Sequence, residues 1–396
     1  MRSLFEISEK AVEVVDTLYV RSYIKWLQQE ERLIGIRGSR GVGKTTLLLQ
    51  YAKLYLKNES YIYISLDNLY FTENKLVDFA DEFVKNGGKV LLIDEVHHYL
   101  TWSQELKNIY DNYPELKVIY TGSSLIHLIK ARADLSRRSV NYTLPGLSLR
   151  EYINLTEEKK FPVYSLSQII DSHISIAKQI WTVIKPIKKY NEYLETGYFP
   201  FFLENPENYN RKLLEVLLLI IETDIPIITG MNVNNITRIK QLLYIISESS
   251  PFKPNIEKLS ERIGISRNTL KEYIYYLGEA LVLNLVTQSG KGISRLSKPE
   301  KIFLHHPNLM FALTGQHSDK GNLRETFFVN QVSVDHTVNT SAKGDFLIDN
   351  KIIFETGGRN KTQKQIKGIK NAYLALDNIE TGYMNEIPLW LLGFLY

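Results

Sequence analysis

The sequence predicts an α/β protein: a parallel sheet ringed by helices, then a helical connector, a helix-turn-helix and a second α/β unit. Three observations carry this. A glycine-rich segment, Gly38-Ser39-Arg40-Gly41-Val42-Gly43-Lys44-Thr45, lies between the apolar run "LIGI" and the helix-patterned "TTLLLQYAKLYL". A second apolar run, "VLLI", ends in Asp94-Glu95. Near the end of the chain, "GDFLIDN" and "KIIFET" read as two short strands around an Asp-Asn turn.

Bulk properties set the frame. A chain of 396 residues is too long for one ordinary core, so two or three domains are expected. Hydrophobic content of 44% and charged content of 23% describe a soluble globular protein. The most apolar run, "LLEVLLLII", carries Glu215 and is too short to span a membrane, so no membrane partner is expected. The first sixteen residues hold four acids and no long apolar centre, unlike a secretory signal. With no cysteine there is no disulfide framework and no thiolate metal site, and a cytoplasmic location is expected. The net charge of +4 is too mild to argue for nucleic acid, so only local clustering carries that case.

The glycine-rich segment fits G-x-x-x-x-G-K-[ST] in its strand–loop–helix setting. Glycines let backbone N–H groups turn inward around phosphate oxygens, and the following helix adds its N-terminal dipole. Residues Gly38, Ser39, Arg40, Gly41, Val42, Gly43, Lys44, Thr45 and Thr46 are therefore expected to bind the nucleotide, ATP, with Lys44 on the β/γ-phosphates and Thr45 on Mg2+. Asp94, delivered by a buried strand, is expected to hold the Mg2+ shell, and Glu95 to orient and deprotonate the attacking water. His97 and His98 read as polar surface rather than metal ligands. A further buried strand ends in "YTGSS", with Thr121 and Ser123 both placed to reach the site; the sequence does not choose between them. "YIYISLD" completes the sheet, and "DLSRRSVNYTLPGLSLREY" supplies a basic pair, Arg137 and Arg138, before another strand.

From about 155 to 245 apolar stripes at helical spacing predict a helical connector, with "YLETGYFPFFLENP" as a loop between helices. In 254–286, Ile256, Leu259 and Ile263 share one face, Gly264 makes a turn, Ser266 caps the next helix, and Leu270, Ile274 and Leu277 mark its buried face. This helix-turn-helix spacing sets Arg267, Asn268 and Lys271 at the turn that would meet a major groove. A basic hairpin wing follows, with Lys291, Arg295, Lys298 and Lys301 against Glu300. "NLRETFFVNQV" reads as a helix. Glu325 on it, with Asp345 and Glu355, follows the order in which restriction-endonuclease-like sites present their acids. Active members carry a lysine two residues after the glutamate, where this chain has Gly357. Lys361 lies further on, past Gly358, where a strand end and two glycines do not fix it on the site. A nuclease-like fold without nuclease activity is expected, its acids vestigial. "RNKTQKQIKGIK", with Arg359 and Lys361, has helical spacing and five basic residues able to grip a phosphate backbone.

The segments "GSRGVGKTTLLLQ", "VLLIDEVHH", "VIYTGSS", "DLSRRSVNYTLPGLSLREY", "YLETGYFPF", "KIFLHHPNLMFAL" and "FETGGRNKTQKQIKGI" together resemble a prokaryotic family of AAA-type P-loop ATPases. In that family the P-loop domain precedes a C-terminal domain of unknown function, with a winged helix and a restriction-endonuclease-like fold. The resemblance implies a sensor role for Thr121 or Ser123. It also implies an arginine finger reaching a neighbouring subunit's γ-phosphate, hence at least a dimer. The family's usual form is "DLSGR", so Arg138 matches its arginine and Arg137 replaces its glycine. The expected division is an ATPase domain over 1–155, a connector or lid over 156–245, a winged helix over 246–300 and the nuclease-like domain over 301–396. The leading expectation is an Mg2+-dependent ATP hydrolase coupled to DNA through the winged helix and basic C-terminal segment. A nucleotide-gated switch that docks a protein partner is the alternative. An ATP-dependent nuclease ranks last because of Gly357.

Overall fold

The computed structural model describes residues 2–125, 135, 137–229, 235–248, 254–289, 299–315 and 319–396. The chain divides into two compact units, Met1–Gly146 with Ile227–Gly230, and Leu147–Pro226 with Met231–Tyr396. The expected residues Lys291, Arg295 and Lys298 lie outside the described residues. Among the described residues no helix is long and apolar enough to cross a membrane.

In the first unit the apolar runs become strands β1 (Leu33–Gly38), β2 (Tyr61–Ser65), β3 (Val90–Asp94), β4 (Lys117–Ser123) and β5 (Val140–Thr143). They form one parallel sheet in the order β2-β3-β4-β1-β5. Residues of β3 are buried throughout, as a central parallel strand covered on both faces requires. Helices α1 (Arg2–Val14), α2 (Lys44–Tyr55), α3 (Leu76–Lys85) and α4 (Trp102–Asn112) complete the unit. Helix α1 buries Leu4, Ser8 and Val12, four residues apart, and the Ser8 hydroxyl accepts from the Tyr63 N–H at 2.9 Å. Leu76, Phe79, Ala80 and Phe83 of α3 and Leu106 and Ile109 of α4 join Leu91 and Ile93 of β3 in the core.

The second unit begins with α5 (Leu149–Thr156), α6 (Leu166–Trp181), α7 (Pro186–Thr196) and α8 (Tyr209–Leu219). Ser148 and Glu151, then Ser165 and Gln168, close capping boxes at the first two. There follow α9 (Ile236–Glu248), α10 (Ile256–Ile263), α11 (Arg267–Glu279), β6 (Leu283–Gln288) and β7 (Lys301–Leu304). Gly264 turns the chain with φ 73°, the Ser266 hydroxyl accepts from the Thr269 N–H at 3.1 Å, and Ile256, Leu259, Ile263, Leu270, Ile274 and Leu277 are buried. The chain ends through α12 (Pro307–Thr314), α13 (Lys320–Val332), β8 (Val338–Thr340), β9 (Phe346–Ile348), β10 (Ile352–Gly357), β11 (Ala372–Leu376) and β12 (Glu386–Pro388).

The seven described strands of this unit make one mixed sheet, ordered β12-β11-β10-β9-β8-β6-β7. Strands β6 and β7, on either side of the expected boundary at 300, pair antiparallel, and β6 pairs parallel with β8. The basic segment 359–370 differs from expectation. It holds turns and a single 3₁₀ turn at Gln363–Gln365 rather than an α-helix. It must cross from β10 to its parallel neighbour β11 within a short span, and Gly368 adopts φ 76° in it.

Asn308 on α12 ties the aromatic loop to the rest of this unit. Its amide oxygen accepts from the Tyr198 N–H at 2.8 Å and the Tyr209 hydroxyl at 2.6 Å. Its amide nitrogen donates to the carbonyls of Tyr193 at 2.9 Å and Leu194 at 2.6 Å. Asn308→Leu would strand these buried groups, and the urea midpoint should fall by the equivalent of about 3 kcal/mol or more. A loss below about 1 kcal/mol would show that the network does not hold the loop.

Candidate functional site

The candidate nucleotide site lies at the C-terminal edge of the parallel sheet. Strand β1 ends at Gly38, where a Cβ would lie 2.6 Å from the Leu144 carbonyl oxygen, so only glycine passes. Gly41 and Gly43 take φ 81° and 93° and turn the chain into α2 at Lys44. The first backbone N–H groups of a helix have no intrahelical acceptor, and such an N-terminus after a glycine-rich loop is an arrangement that binds phosphate. Ser39 and Val42 are buried, Arg40 half-buried, and Thr46 exposed in the first turn of α2. Lys44 Nζ donates to the carbonyls of Gly38 and Ser39, each at 3.0 Å. Arg21, unmarked by any sequence motif, clamps the loop. It is buried and donates to the carbonyls of Val42 at 3.3 Å, Pro145 at 2.8 Å and Gly146 at 2.9 Å.

Asp94, only 2% exposed, gathers three hydroxyls. Thr45 Oγ1 donates to Asp94 Oδ2 at 2.6 Å and the Tyr63 hydroxyl to the same oxygen at 3.0 Å, while Thr121 Oγ1 donates to Oδ1. Burial and the Asp94 carboxylate hold the Tyr63 phenol well above its usual range. The adjacent hard oxygens of Thr45 and Asp94 suit Mg2+. Thr121 also accepts from the Glu95 N–H at 3.2 Å, whereas the Ser123 hydroxyl accepts from the Leu125 N–H at 3.4 Å. Of the two hydroxyl residues, Thr121 is thus the one tied to both acids. Tyr63 went unread because it comes from β2; the signal was its place two residues before the strand end beside β3.

Glu95 sits at φ 53°, a left-handed conformation that costs a residue with a side chain about 1–3 kcal/mol and is tolerated where function needs it. Burial pushes its carboxyl up, against the pull of Lys44 and with a further push from Asp94. Its Oε2 is buried without a well-aligned hydrogen bond, 3.2 Å from His97 Nδ1. His97 is pushed down to about 3 by burial and then by the charges of His98, Arg40 and Lys44. It is therefore neutral at pH 7, and the contact with Glu95 is no ion pair. His97 Nδ1 accepts from the Ser123 N–H at 3.3 Å. His97 is thus not plain polar surface. Glu95, His97 and His98 offer ligand atoms within 4.8 Å of one another. Arg40 Nη2, 3.5 and 3.4 Å from the two imidazoles, sets a permanent positive charge there and opposes a cation.

Arg138 makes a two-point pair with Asp111, at 2.8 Å from Nε and 2.9 Å from Nη2. Arg137 is exposed at φ 69°, the conformation for which the resembling "DLSGR" form has its glycine.

The remaining predicted residues lie in the second unit. Asn268 and Lys271 are exposed on the first turns of α11, and Arg267 there pairs with Glu257 of α10. Arg359 is exposed. Glu325, Asp345 and Glu355 do converge. Phe328 stacks on Phe346 at 4.9 Å and meets Phe354 at 5.2 Å, pinning α13 over β9 and β10. Lys301 is no wing residue facing solvent. It is 7% exposed, with Nζ 2.8 Å from Glu325 Oε2 and 3.5 Å from Asp345 Oδ1. Nor does Lys361 stand clear of the acids: its Nζ lies 2.5 Å from Glu355 Oε1. Burial pushes the carboxyls of Glu325 and Glu355 up against the pull of these lysines.

Residues 30–153 match the model of a family described as an AAA domain. The N-terminal unit is an AAA-type P-loop NTPase domain. Residues 187–320 match a domain of unknown function, DUF8612. An uncharacterized protein of Methanocaldococcus jannaschii is 28% identical over 297 residues, 70% of this chain and 62% of that protein. The chain thus spans less than two thirds of that relative. Solved structures with a likeness include the Aeropyrum pernix ORC1 protein in complex with DNA (13% identical, covering 78% of this chain and 92% of that one, TM-score 0.30). AMPPCP-bound DnaA from Aquifex aeolicus is 15% identical, with coverage of 70% and 88% and a TM-score of 0.29. The Thermotoga maritima RuvB Holliday junction branch migration motor is 14% identical, with coverage of 72% and 90% and a TM-score of 0.26. At these TM-scores the likeness carries no argument about ligand or partner.

Lys44→Ala should weaken ATP binding roughly tenfold to hundredfold, the worth of a charge-assisted hydrogen bond, in a fluorescent-nucleotide titration. Unchanged affinity would show that the loop does not hold the phosphates through this residue.

Proposed function

We propose that the protein is a cytoplasmic, Mg2+-dependent ATP hydrolase of the AAA type that couples turnover to DNA. The observation that carries the hydrolytic part is Glu95: half-buried, raised in basicity, held in a strained conformation and bonded through its N–H to the threonine that also holds Asp94. A protein that only binds nucleotide has no use for such a base.

In this reading Lys44 exchanges the loop carbonyls for the β/γ-phosphates, and Thr45 and Asp94 hold the metal. Held there, Mg2+ would supply positive charge to offset the charge that develops on the phosphates. Glu95 takes a proton from water as its oxygen bonds to the γ-phosphorus and the bond to the β-phosphate oxygen breaks. Thr121 orients that acid pair. Arg138 acts as the finger in a homo-oligomer, exchanging Asp111 for a neighbour's γ-phosphate, with Arg137 the second candidate.

The order α10, α11, β6, β7 supports reading that segment as a winged helix, with Arg267, Asn268 and Lys271 toward a major groove and Arg359 on a phosphate backbone. A protein-docking switch has its own supporting observation. Arg267, Lys301 and Lys361 are each paired with an acid, which thins the positive charge left for phosphates.

Double-stranded DNA should raise steady-state ATP turnover, and the gain should fade with salt as phosphate contacts are screened. DNA-indifferent turnover would favour the protein partner. Turnover per chain should rise with protein concentration and lose that rise in Arg138→Ala. The base must be ionised to act, so activity falls as pH drops through the raised Glu95 pKa. The acid limb of the pH profile should therefore lie above the usual glutamate value of 4.5. A limb at that ordinary value would contradict the role given to Glu95.

A further inference from the structure

A cavity of about 310 Å³ lies in the second unit among α7, α12, α13 and the turn after β11. Small-molecule sites begin at about this size. Helical spacing builds two of its walls. On α7, Asn191, Leu194 and Glu195 line it; on α13, Lys320, Leu323 and Arg324 do. Each set stands at i, i+3 and i+4, and so shares one helix face. Both walls carry a leucine, but their charges are opposite: α7 brings Glu195, and α13 brings Lys320 and Arg324. Among the described residues neither Glu195 nor Lys320 makes an ion pair, so the two walls do not neutralise each other directly. Phe311 of α12 adds apolar surface.

Arg324 is fixed within the cationic wall. Its Nε donates to Asp377 Oδ2 at 2.9 Å, and the two side chains are only 19% and 13% exposed. Asp377 is itself held, its N–H donating to the Gly357 carbonyl at 2.9 Å and its Oδ1 accepting from the Asn378 N–H at 2.7 Å. A Cβ at Gly358 would lie 3.2 Å from Arg324 Nη2 and 3.4 Å from its Cζ, so the guanidinium is seated against that glycine. Among the described residues Nη1 and Nη2 find no acceptor. Together they form the fork that takes a carboxylate through two parallel bonds. Tyr190 is a second, independent sign of a ligand. It lines the same cavity, is 2% exposed, and its hydroxyl is buried with no hydrogen-bond partner. Burial pushes the phenol far up, Asp377 adds to the push and Arg324 opposes it, so the hydroxyl stays a donor close to that pair. Such an orphan in a native core calls for an explanation, and a ligand oxygen is one.

We propose that this cavity binds a free α-amino acid with an apolar side chain. Its carboxylate takes the open fork of Arg324 and the Tyr190 hydroxyl, with Lys320 alongside. Its ammonium faces Glu195 and Asn191 on the opposite wall, and its side chain lies on Leu194, Leu323 and Phe311. The charges decide the class of ligand. Glu195 and Asp377 balance Lys320 and Arg324, so a ligand of zero net charge, with its own two charges apart, leaves none unpaired. A phosphate ester fits worse, because its two negative charges meet Glu195 and Asp377 with no cation to screen them. Nothing here rests on the ATPase reading, and each can fail without the other.

Isothermal titration calorimetry on the full-length, nucleotide-free protein tests this, with L-valine, L-leucine and L-phenylalanine as probes. At least one should bind at a single site per chain. For leucine, 4-methylpentanoate keeps the carboxylate alone and 3-methylbutylamine the ammonium alone; each should bind at least roughly tenfold more weakly, since each leaves one wall unmet. Glu195→Gln, at an exposed position, should weaken the amino acid roughly tenfold and leave 4-methylpentanoate unchanged. Arg324→Lys, which removes the fork and keeps the charge, should weaken both by a similar factor. Three results would each overturn the proposal: no saturable binding of any of the three up to roughly 10 mM, tighter binding of inorganic phosphate or 4-methylpentanoate than of the amino acid, or amino-acid binding unmoved by Glu195→Gln.

Discussion

One buried carboxylate organises the nucleotide-binding unit. Asp94 takes hydroxyls from α2, β2 and β4 at once, through Thr45, Tyr63 and Thr121. A buried charge is tolerated only when its lone pairs are met, and here they are met by elements distant in sequence. That requirement holds the first turn of α2 over the strand ends and keeps β2, β3 and β4 level. The glycine-rich loop, Glu95 and the position proposed for the metal all take their places from it.

The second unit depends on a different constraint, the satisfaction of buried amides. The segments "YLETGYFPF" and "KIFLHHPNLMFAL" meet at Asn308, whose four hydrogen bonds join α7, the loop after it, α8 and α12. Residues that look family-specific in a sequence can thus serve packing. Tyr198 also stacks on His306 at 4.2 Å, where burial and then the neighbouring His305 push the imidazole well below its ordinary pKa.

Local patterns were legible, and convergent ones were not. The phosphate-binding loop and Asp94-Glu95 are contiguous, and their flanking apolar runs announce the strands that present them. The helix-turn-helix was equally readable, from its apolar spacing, Gly264 and Ser266. Tyr63, Arg21 and His97 matter because folding brings them to residues tens of positions away, and no spacing rule marks them. Lys301 looked like one more wing charge because its partners, Glu325 and Asp345, come from elements after it. The basic run 359–370 has helical spacing, yet the parallel crossover from β10 to β11 leaves it turns instead. Lys361 reads in one dimension as unfixed past two glycines; in three its ammonium meets Glu355.

The central claim is that Asp94 and Glu95 divide metal holding from proton removal. Single-turnover measurement with radiolabelled ATP and Mg2+, comparing wild type with Glu95→Gln, tests it most directly. The account predicts that the variant binds ATP as tightly as the wild type while phosphate formation falls by roughly a hundredfold or more. Phosphate formation at the wild-type rate in a variant that still binds ATP would contradict it.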